Sequence, residues 1–402
     1  MPLLSVTVKR LLKATILSMK LAIFTDTYCD ANGVSRFLQD MNRCAFEKAK
    51  KIKIFTSTTK SHCRYTKNLF NPKPLLQIPM PFYPDLSLTM PPYSKLKSEF
   101  LEFGPDIVHI STPGPIGFYG KSVAKEQNLP VAGTYHTDFP AYLYKNMKLS
   151  AIEKVTYKVM QNFYSDFSLI FTRSSLYLPI VTKKVKVKPS KVKVLRAGTD
   201  TQKFNPKHKT LYDWSRFLLP REGLKFLYVG RLTKEKNFRF LLEVWREFRK
   251  NSSVKASLVI VGSGSEEKLA LEFARYGVYY LGHKDGKELS FLYAASDIFI
   301  SASTTETLGQ TLLEAIASGT PVIVSNIGGH LDFVTPSCGV IVNKMKIEDW
   351  VEALNFLSQN QTACKKASQE ALKIASELSI EKSFEDFYIE HESLLKKERS
   401  YR

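Results

Sequence analysis

Ser303-Thr-Thr-Glu306-Thr-Leu-Gly309-Gln-Thr-Leu-Leu-Glu314-Ala-Ile-Ala-Ser-Gly319-Thr-Pro321-Val-Ile-Val324 reads as a strand end, a turn at Gly309, a helix, a turn at Gly319-Thr320-Pro321 and a strand. With the apolar run at 298–302 ahead of it, this is a βαβ unit, which demands a parallel sheet with helices on its faces. A helix beginning near Gly309 points the amides of Leu308, Gly309 and Gln310 out of its positive end, where a phosphate is stabilised. Glu314 follows about five residues on, roughly 7 to 8 Å along the axis at 1.5 Å per residue. That is about the distance from a nucleotide's diphosphate to its ribose, so a carboxylate there suits the ribose hydroxyls. Glu306, ahead of the helix, faces whatever hangs from the far phosphate.

Working outward, the same rhythm recurs. Apolar strand-sized runs alternate with amphipathic segments from Lys20: 20–25, 33–49, 51–56, 94–102, 106–111, 114–126 and 130–134. A proline-rich stretch, 72–92, breaks the series and predicts an irregular loop. The rhythm restarts at 225–230 and runs through 238–250, 256–262, 298–302, 309–318 and 321–325, and helices at 347–358, 361–377 and 380–398 end the chain. Two doubly wound α/β domains in tandem are expected, facing a cleft that holds the chemistry, because ligands sit at the carboxyl ends of such strands. The expected division is an extension at 1–18, a first domain at 19–195, a second at 196–379 and a C-terminal segment at 380–402, with 183–222 as the linker region.

Composition agrees with a folded chain of two cores: 402 residues, 44% hydrophobic and 24% charged. No apolar run approaches the roughly 20 residues that span a bilayer. Five cysteines without metal-ligand spacing read as reduced thiols, which points to a cytosolic compartment. Lys13 interrupts the only stretch that could serve as a signal-peptide core, and Met19 stands directly before the first strand. The net charge of +20 is lopsided, with 30 Lys and Arg against 13 Asp and Glu in residues 1–200 but 28 against 25 in 201–402. The first half therefore favours an anionic surface, membrane or nucleic acid.

Glu306 and Glu314, followed by Ala317-Ser-Gly319-Thr-Pro321, resemble the paired-glutamate signature of the retaining GT-B glycosyltransferases of family 4. Other motifs fall in that family's order. Val229-Gly230-Arg231-Leu232 through Glu235-Lys236-Asn237 is similar to the loop in which an Arg and a Lys hold the donor diphosphate, and cations suit a leaving group that gathers charge. Thr25-Asp26-Thr27-Tyr28 through Asn32-Gly33-Val34-Ser35 resembles the first turn, where a glycine lets backbone approach the donor; this chain has one glycine where the family often has two. Gly133-Thr134-Tyr135-His136-Thr137-Asp138 resembles the segment whose His contacts the transferred sugar. The resemblance implies a catalytic set of His136, Glu306, Arg231 and Lys236, and a donor site of Gly33, Gly230, Arg231, Lys236, Glu306, Leu308, Gly309, Gln310 and Glu314. It also implies a C-terminal helix that crosses back to the first domain.

Within the family, His109-Ile-Ser-Thr-Pro113-Gly-Pro115 and Thr305-Glu306-Thr-Leu-Gly309-Gln310 are most similar to enzymes that glycosylate lipids. The expected reaction moves a hexose from a UDP- or GDP-sugar to a membrane lipid such as diacylglycerol or a glycolipid. An acceptor held in a membrane requires docking, and Lys145, Lys148, Lys154 and Lys158 stand among aromatic and apolar residues in 142–165, a pattern suited to anionic headgroups. Peripheral association with the inner face of the cytoplasmic membrane is the expected location. No Asp-x-Asp pair and no ligand-spaced cluster is present, so neither metal nor cofactor is expected. Two alternatives stay open: the same enzyme with a soluble sugar or polysaccharide acceptor, and a basic nucleic-acid-binding protein, against which stands the absence of a recognised module.

Overall fold

The structure, a computed structural model, describes residues 18–400 apart from 31, 61, 62, 64, 81, 82 and 212. The expected extension at 1–18 lies outside the described residues except for Ser18, as does the side chain of Lys145. The chain divides into two compact units. One comprises Met1–Phe171, Val181–Lys193 and Phe387–Arg402; the other comprises Thr172–Ile180 and Val194–Asp386. A single cut at 195 assigns Thr172–Ile180 to the first domain, whereas these residues belong to the second unit.

The first unit runs β1 (Lys20–Phe24), α1 (Gly33–Glu47), β2 (Lys51–Phe55), β3 (Leu69–Phe70), β4 (Leu76–Met80), β5 (Tyr83–Met90), α2 (Tyr93–Phe103), β6 (Ile107–Ile110), α3 (Pro115–Glu126), β7 (Val131–Tyr135), α4 (Phe139–Met147), α5 (Ser150–Tyr164), β8 (Leu169–Thr172) and β9 (Val192–Val194). Seven of these strands form one sheet in the order β3-β2-β1-β6-β7-β8-β9. Leu21, Ala22, Ile23 and Phe24 are fully buried, as a strand covered on both faces requires, and Phe24 stacks on Phe55 at 4.8 Å.

The irregular loop expected at 72–92 is corrected: β4 and β5 form a two-stranded antiparallel sheet of their own, with Leu76 opposite Met90 and Ile78 opposite Leu88. The prolines mislead because a two-stranded sheet leaves half its backbone donors unneeded. Pro79 occupies such a sheet at the point where the register shifts.

The reading of five reduced thiols is also corrected. Cys29 and Cys63 form a disulfide, Cα to Cα 4.4 Å, while Cys44 and Cys338 are free and buried and Cys364 is free and partly buried. A separation of 34 residues hides from a sequence count that the loops after the adjacent strands β1 and β2 run side by side.

The second unit contains β10 (Leu224–Val229), α6 (Phe238–Asn251), β11 (Ala256–Val261), α7 (Glu267–Glu272), β12 (Val278–Tyr280), α8 (Gly286–Ala295), β13 (Ile298–Ser301), α9 (Gln310–Ala317), β14 (Val322–Ser325), β15 (Gly339–Val342), α10 (Ile347–Gln359) and α11 (Gln361–Ser376). Its six strands are all parallel, in the order β12-β11-β10-β13-β14-β15. Two apolar clusters fill it, one around Trp245 and Trp350, the other around Tyr293 and Leu313. The last helix, α12 (Ile380–Ser400), starts in the second unit and belongs to the first from Phe387 onward. Two doubly wound parallel-sheet units are thus the architecture that the alternation predicts.

Candidate functional site

In the second unit β10 and β13 are neighbours, so the loops leaving their carboxyl ends meet. Asn237, in left-handed conformation at φ 54°, closes the first loop and donates from Nδ2 to the Ala302 carbonyl at 2.9 Å. Thr305 Oγ1 donates to the Glu235 carbonyl at 3.2 Å. These two bonds fasten the loop carrying Arg231 and Lys236 to the loop carrying Glu306. As a result Lys236 Nζ lies 2.7 Å from Glu306 Oε1, and Arg231 pairs with Glu235.

Burial alone would raise the Glu306 carboxyl, but Lys236 and the Ser303 hydroxyl outweigh it and hold the group below its ordinary value. Glu306 therefore stays an anion braced by a cation, an arrangement able to accept hydrogen bonds from sugar hydroxyls. Gly309 precedes α9 in left-handed conformation, φ 87°, and puts the amides of 308–310 at the open end of the helix, where the first N–H groups have no intrahelical acceptor. Glu314 is on α9 as expected and is 1% exposed.

Gly262 and Gly264 mark close backbone approaches. A Cβ on Gly262 would stand 1.9 Å from the Gly230 carbonyl oxygen, and one on Gly264 would stand 2.4 Å from that of Leu232. Their first role is therefore to let two loops pack.

Sequence reasoning missed His330. It is 1% exposed, and its Nε2 donates to the Ser325 carbonyl at 2.8 Å. The ring fits between glycines: a Cβ on Gly309 would stand 3.0 Å from His330 Cβ, and one on Gly328 would stand 2.6 Å from His330 Nδ1 and 3.4 Å from Glu306 Cβ. The Gly329 amide donates to the Glu306 carbonyl at 2.8 Å. Burial keeps the imidazole neutral, below its ordinary value. The detectable signal was the Gly328-Gly329 pair directly after a strand, which offers close approach to a neighbouring loop.

In the first unit Gly33 opens α1, is exposed, and has nothing within 4 Å of a built Cβ, so the protein's own packing does not require glycine there. Asn32, which the sequence reading left without a role, caps the helix through Oδ1 to the amides of Val34 and Ser35 at 3.0 and 2.9 Å. Asp26 is also architectural: it accepts from Thr112 Oγ1 at 2.7 Å and from the amides of Gly114 and Ile116 at 3.0 and 2.8 Å, closing the amino end of α3. His136 follows β7, is 8% exposed, and has Nε2 2.9 Å from Ser111 Oγ.

The segment 142–165 is two helices, α4 and α5, and its basic and aromatic side chains separate. Lys148, Lys154 and Lys158 are exposed, together with Val155 and Val159 at 63% and 43%. Tyr157, Phe163 and Tyr164 of α5 face the core. The expected mixed face of lysine and aromatics is therefore a face of lysine and valine, with Tyr144 as its exposed aromatic. The aromatic spacing is that of a core stripe.

Among the described residues no group of three or more His, Cys, Asp or Glu is placed to hold a metal, and no helix is long and apolar enough to cross a membrane.

Residues 215–374 match the family model described as glycosyl transferases group 1, and residues 31–203 match that of glycosyltransferase family 4. The chain is 30% identical over 321 residues to an alpha-monoglucosyldiacylglycerol synthase of Streptococcus pneumoniae, covering 76% of this chain and 70% of that one. It is 28% identical over 286 residues to a sulfoquinovosyl transferase of Arabidopsis thaliana, covering 69% of this chain. There it spans little more than half of the relative's length, 55%. Among solved structures, a sucrose-phosphate synthase from Thermosynechococcus elongatus superposes with a TM-score of 0.74 at 16% identity, covering 96% of this chain and 100% of the other. Anabaena HepE, solved with UDP and glucose, gives 0.71 at 16% identity, covering 93% and 99%.

Proposed function

We propose that this chain, which belongs to the family 4 glycosyltransferases of the GT-B fold, transfers a hexose with retention from a UDP- or GDP-sugar to a membrane lipid acceptor of the diacylglycerol or glycolipid class. The observation that carries the reading is the 2.7 Å pair of Lys236 with Glu306 ahead of the open amino end of α9. Cations and free amides there suit a departing diphosphate, whose charge develops as the glycosidic bond breaks. In this reading Arg231, Lys236 and the 308–310 amides take the diphosphate, Glu306 orients the sugar hydroxyls and Glu314 receives the ribose. His136 is the residue of the first unit assigned to the sugar.

The lipid acceptor is supported by the diacylglycerol in the name of the Streptococcus pneumoniae relative and by the basic first half of the chain. Peripheral attachment at the cytoplasmic face of a membrane follows from that acceptor, with Lys148, Lys154 and Lys158 toward anionic headgroups. Metal-independent chemistry is part of the proposal.

A thermal-shift panel of UDP, GDP, ADP and their sugar conjugates, without and then with magnesium, tests the donor site. A ligand at about 100 times its dissociation constant adds roughly 2.7 kcal/mol of stability, so one base family shifting the melting point without metal supports the reading. No shift from any nucleotide removes it. Glu306→Ala is expected to keep its far-UV spectrum and to unfold cooperatively at a somewhat lower temperature, having lost its pair with Lys236, while transfer from the matched donor disappears; full transfer by that variant takes Glu306 out of the mechanism.

A further inference from the structure

We infer that the β4–β5 hairpin is a lipid-docking surface, its outward apolar face and the groove beside it seating the acyl layer of a bilayer. The inference rests on the lipid-acceptor reading above and deepens it by naming where the first unit meets the lipid.

In a strand alternate side chains share a face, and here the register puts four apolar side chains together. Leu76 lies opposite Met90, and Ile78 lies opposite Leu88. All four are outward, at 55%, 51%, 46% and 38% exposure, and Leu75, just ahead of the strand, is exposed at 67%. The alternate pair, Gln77 opposite Thr89, faces the protein: Thr89 is buried, and Gln77 Oε1 accepts from the Thr59 amide and hydroxyl at 2.9 and 3.1 Å. The hairpin is therefore inverted relative to an ordinary surface sheet, with polar side chains inside and apolar ones toward solvent.

The apolar face runs into an open groove of about 540 Å³ lined by Leu88, Tyr93, Pro113, Pro115, Phe118 and Tyr119. Tyr93 and Tyr119 pack at 4.9 Å between ring centres, and Tyr119 donates to the Tyr93 carbonyl at 3.1 Å. The groove's rim is thus aromatic with polar tips, the character of side chains that sit at a membrane interface. Exposed Lys73 and Lys95 flank the patch in the chain and complement anionic headgroups. A second copy of the chain fits less well, since a stable protein interface uses about 20 to 30 residues a side and this strip is far smaller.

The test is co-flotation of the full chain with vesicles of phosphatidylglycerol and phosphatidylcholine, comparing the natural protein with Ile78→Gln/Leu88→Gln and with Ile78→Phe/Leu88→Phe. Both positions are solvent-facing, so circular dichroism is expected to be unchanged in either variant. The glutamine pair is expected to lose roughly tenfold or more in partitioning, from the apolar transfer of two side chains, and the phenylalanine pair to retain it. The glutamine pair is also expected to keep its UDP- or GDP-dependent thermal shift and its turnover on a short-chain acceptor dispersed in detergent. Unchanged flotation of the glutamine pair overturns the docking surface while leaving the lipid acceptor standing. Absence of vesicle binding and of lipid glycosylation in the natural protein overturns both. A dimer abolished by the glutamine pair, with vesicle binding intact, reassigns the face to a second copy.

Discussion

Glu306 was legible before any coordinates because its meaning is local: a carboxylate just ahead of a glycine and a helix, with a second carboxylate eight positions on. Its partner was legible only as a cation in a different loop. What joins Lys236 to it is the pairing of β10 with β13 and the Asn237 and Thr305 bonds, all of which are long-range. His330 was illegible for the opposite reason: a single histidine carries no spacing, and its contacts are with backbone turned inward by glycines. The Lys236 to Glu306 pair gives a testable pH dependence. Glu306 is held below its ordinary value in the fold, so its stabilising contribution is complete above about pH 4.5 and disappears as pH falls through the depressed value. Glu306→Gln is therefore expected to cost about 1.5–3 kcal/mol at pH 7, as a charged hydrogen bond does, and less at pH 3.5, below the ordinary value of 4.5. Urea unfolding of both proteins at the two pH values measures it, and a cost independent of pH would show that the charge is not what holds Glu306.

Elements were legible where period and length agree, as in β1, apolar from Leu21 to Phe24, and the strongly amphipathic α6. They were illegible where composition argued against order. The hairpin at Leu76–Met90 carries prolines, and its solvent face is apolar, so neither turn rules nor alternation identifies it. The same applies to α5, whose lysines were read together with aromatics that the helix turns to the other side. The Cys29–Cys63 disulfide belongs to this scale too, since it ties the loop after β1 to the loop after β2. Closing a loop of 34 residues restricts the unfolded chain and is worth roughly 2–4 kcal/mol. Cys29→Ser/Cys63→Ser, or reductant added to the natural protein, is expected to lower the melting temperature by several degrees to the same extent. Thiol titration of the unreduced, denatured protein is expected to find three reactive groups; five would remove the bond.

For the whole molecule, the two-domain α/β architecture was the most legible feature, because the strands of the seven- and six-stranded sheets and the helices between them repeat one pattern. The way the chain shares α12 between units was legible only through the family resemblance, since residues 380–398 by themselves read as a helix and nothing more. The structure shows what fixes its second half in the first unit. His391 Nδ1 donates to the Phe387 carbonyl at 2.6 Å, which leaves Nε2 as an acceptor for His109 Nδ1 at 3.0 Å. His109 Nε2 in turn accepts from Thr134 Oγ1 at 3.1 Å. This chain of donors works only if both rings are neutral, and burial does hold them so: His109 is well below its ordinary value and His391 is brought down to about 4. With His330 neutral in the second unit, both units bury histidines that the unfolded chain would protonate. The sign follows from proton counting: below the ordinary value of 6.5 the unfolded state binds more protons, so stability is full above that pH and falls as pH drops toward the folded values. At pH 5 the loss is on the order of 2 kcal/mol for each histidine whose folded value lies far below. Urea midpoints from pH 7.5 to 4.5 are expected to fall accordingly. His391→Gln, which cannot take the proton, is expected to start less stable and to show a shallower decline; a slope equal to that of the natural protein would mean that the buried imidazoles do not set the acid limit of this fold.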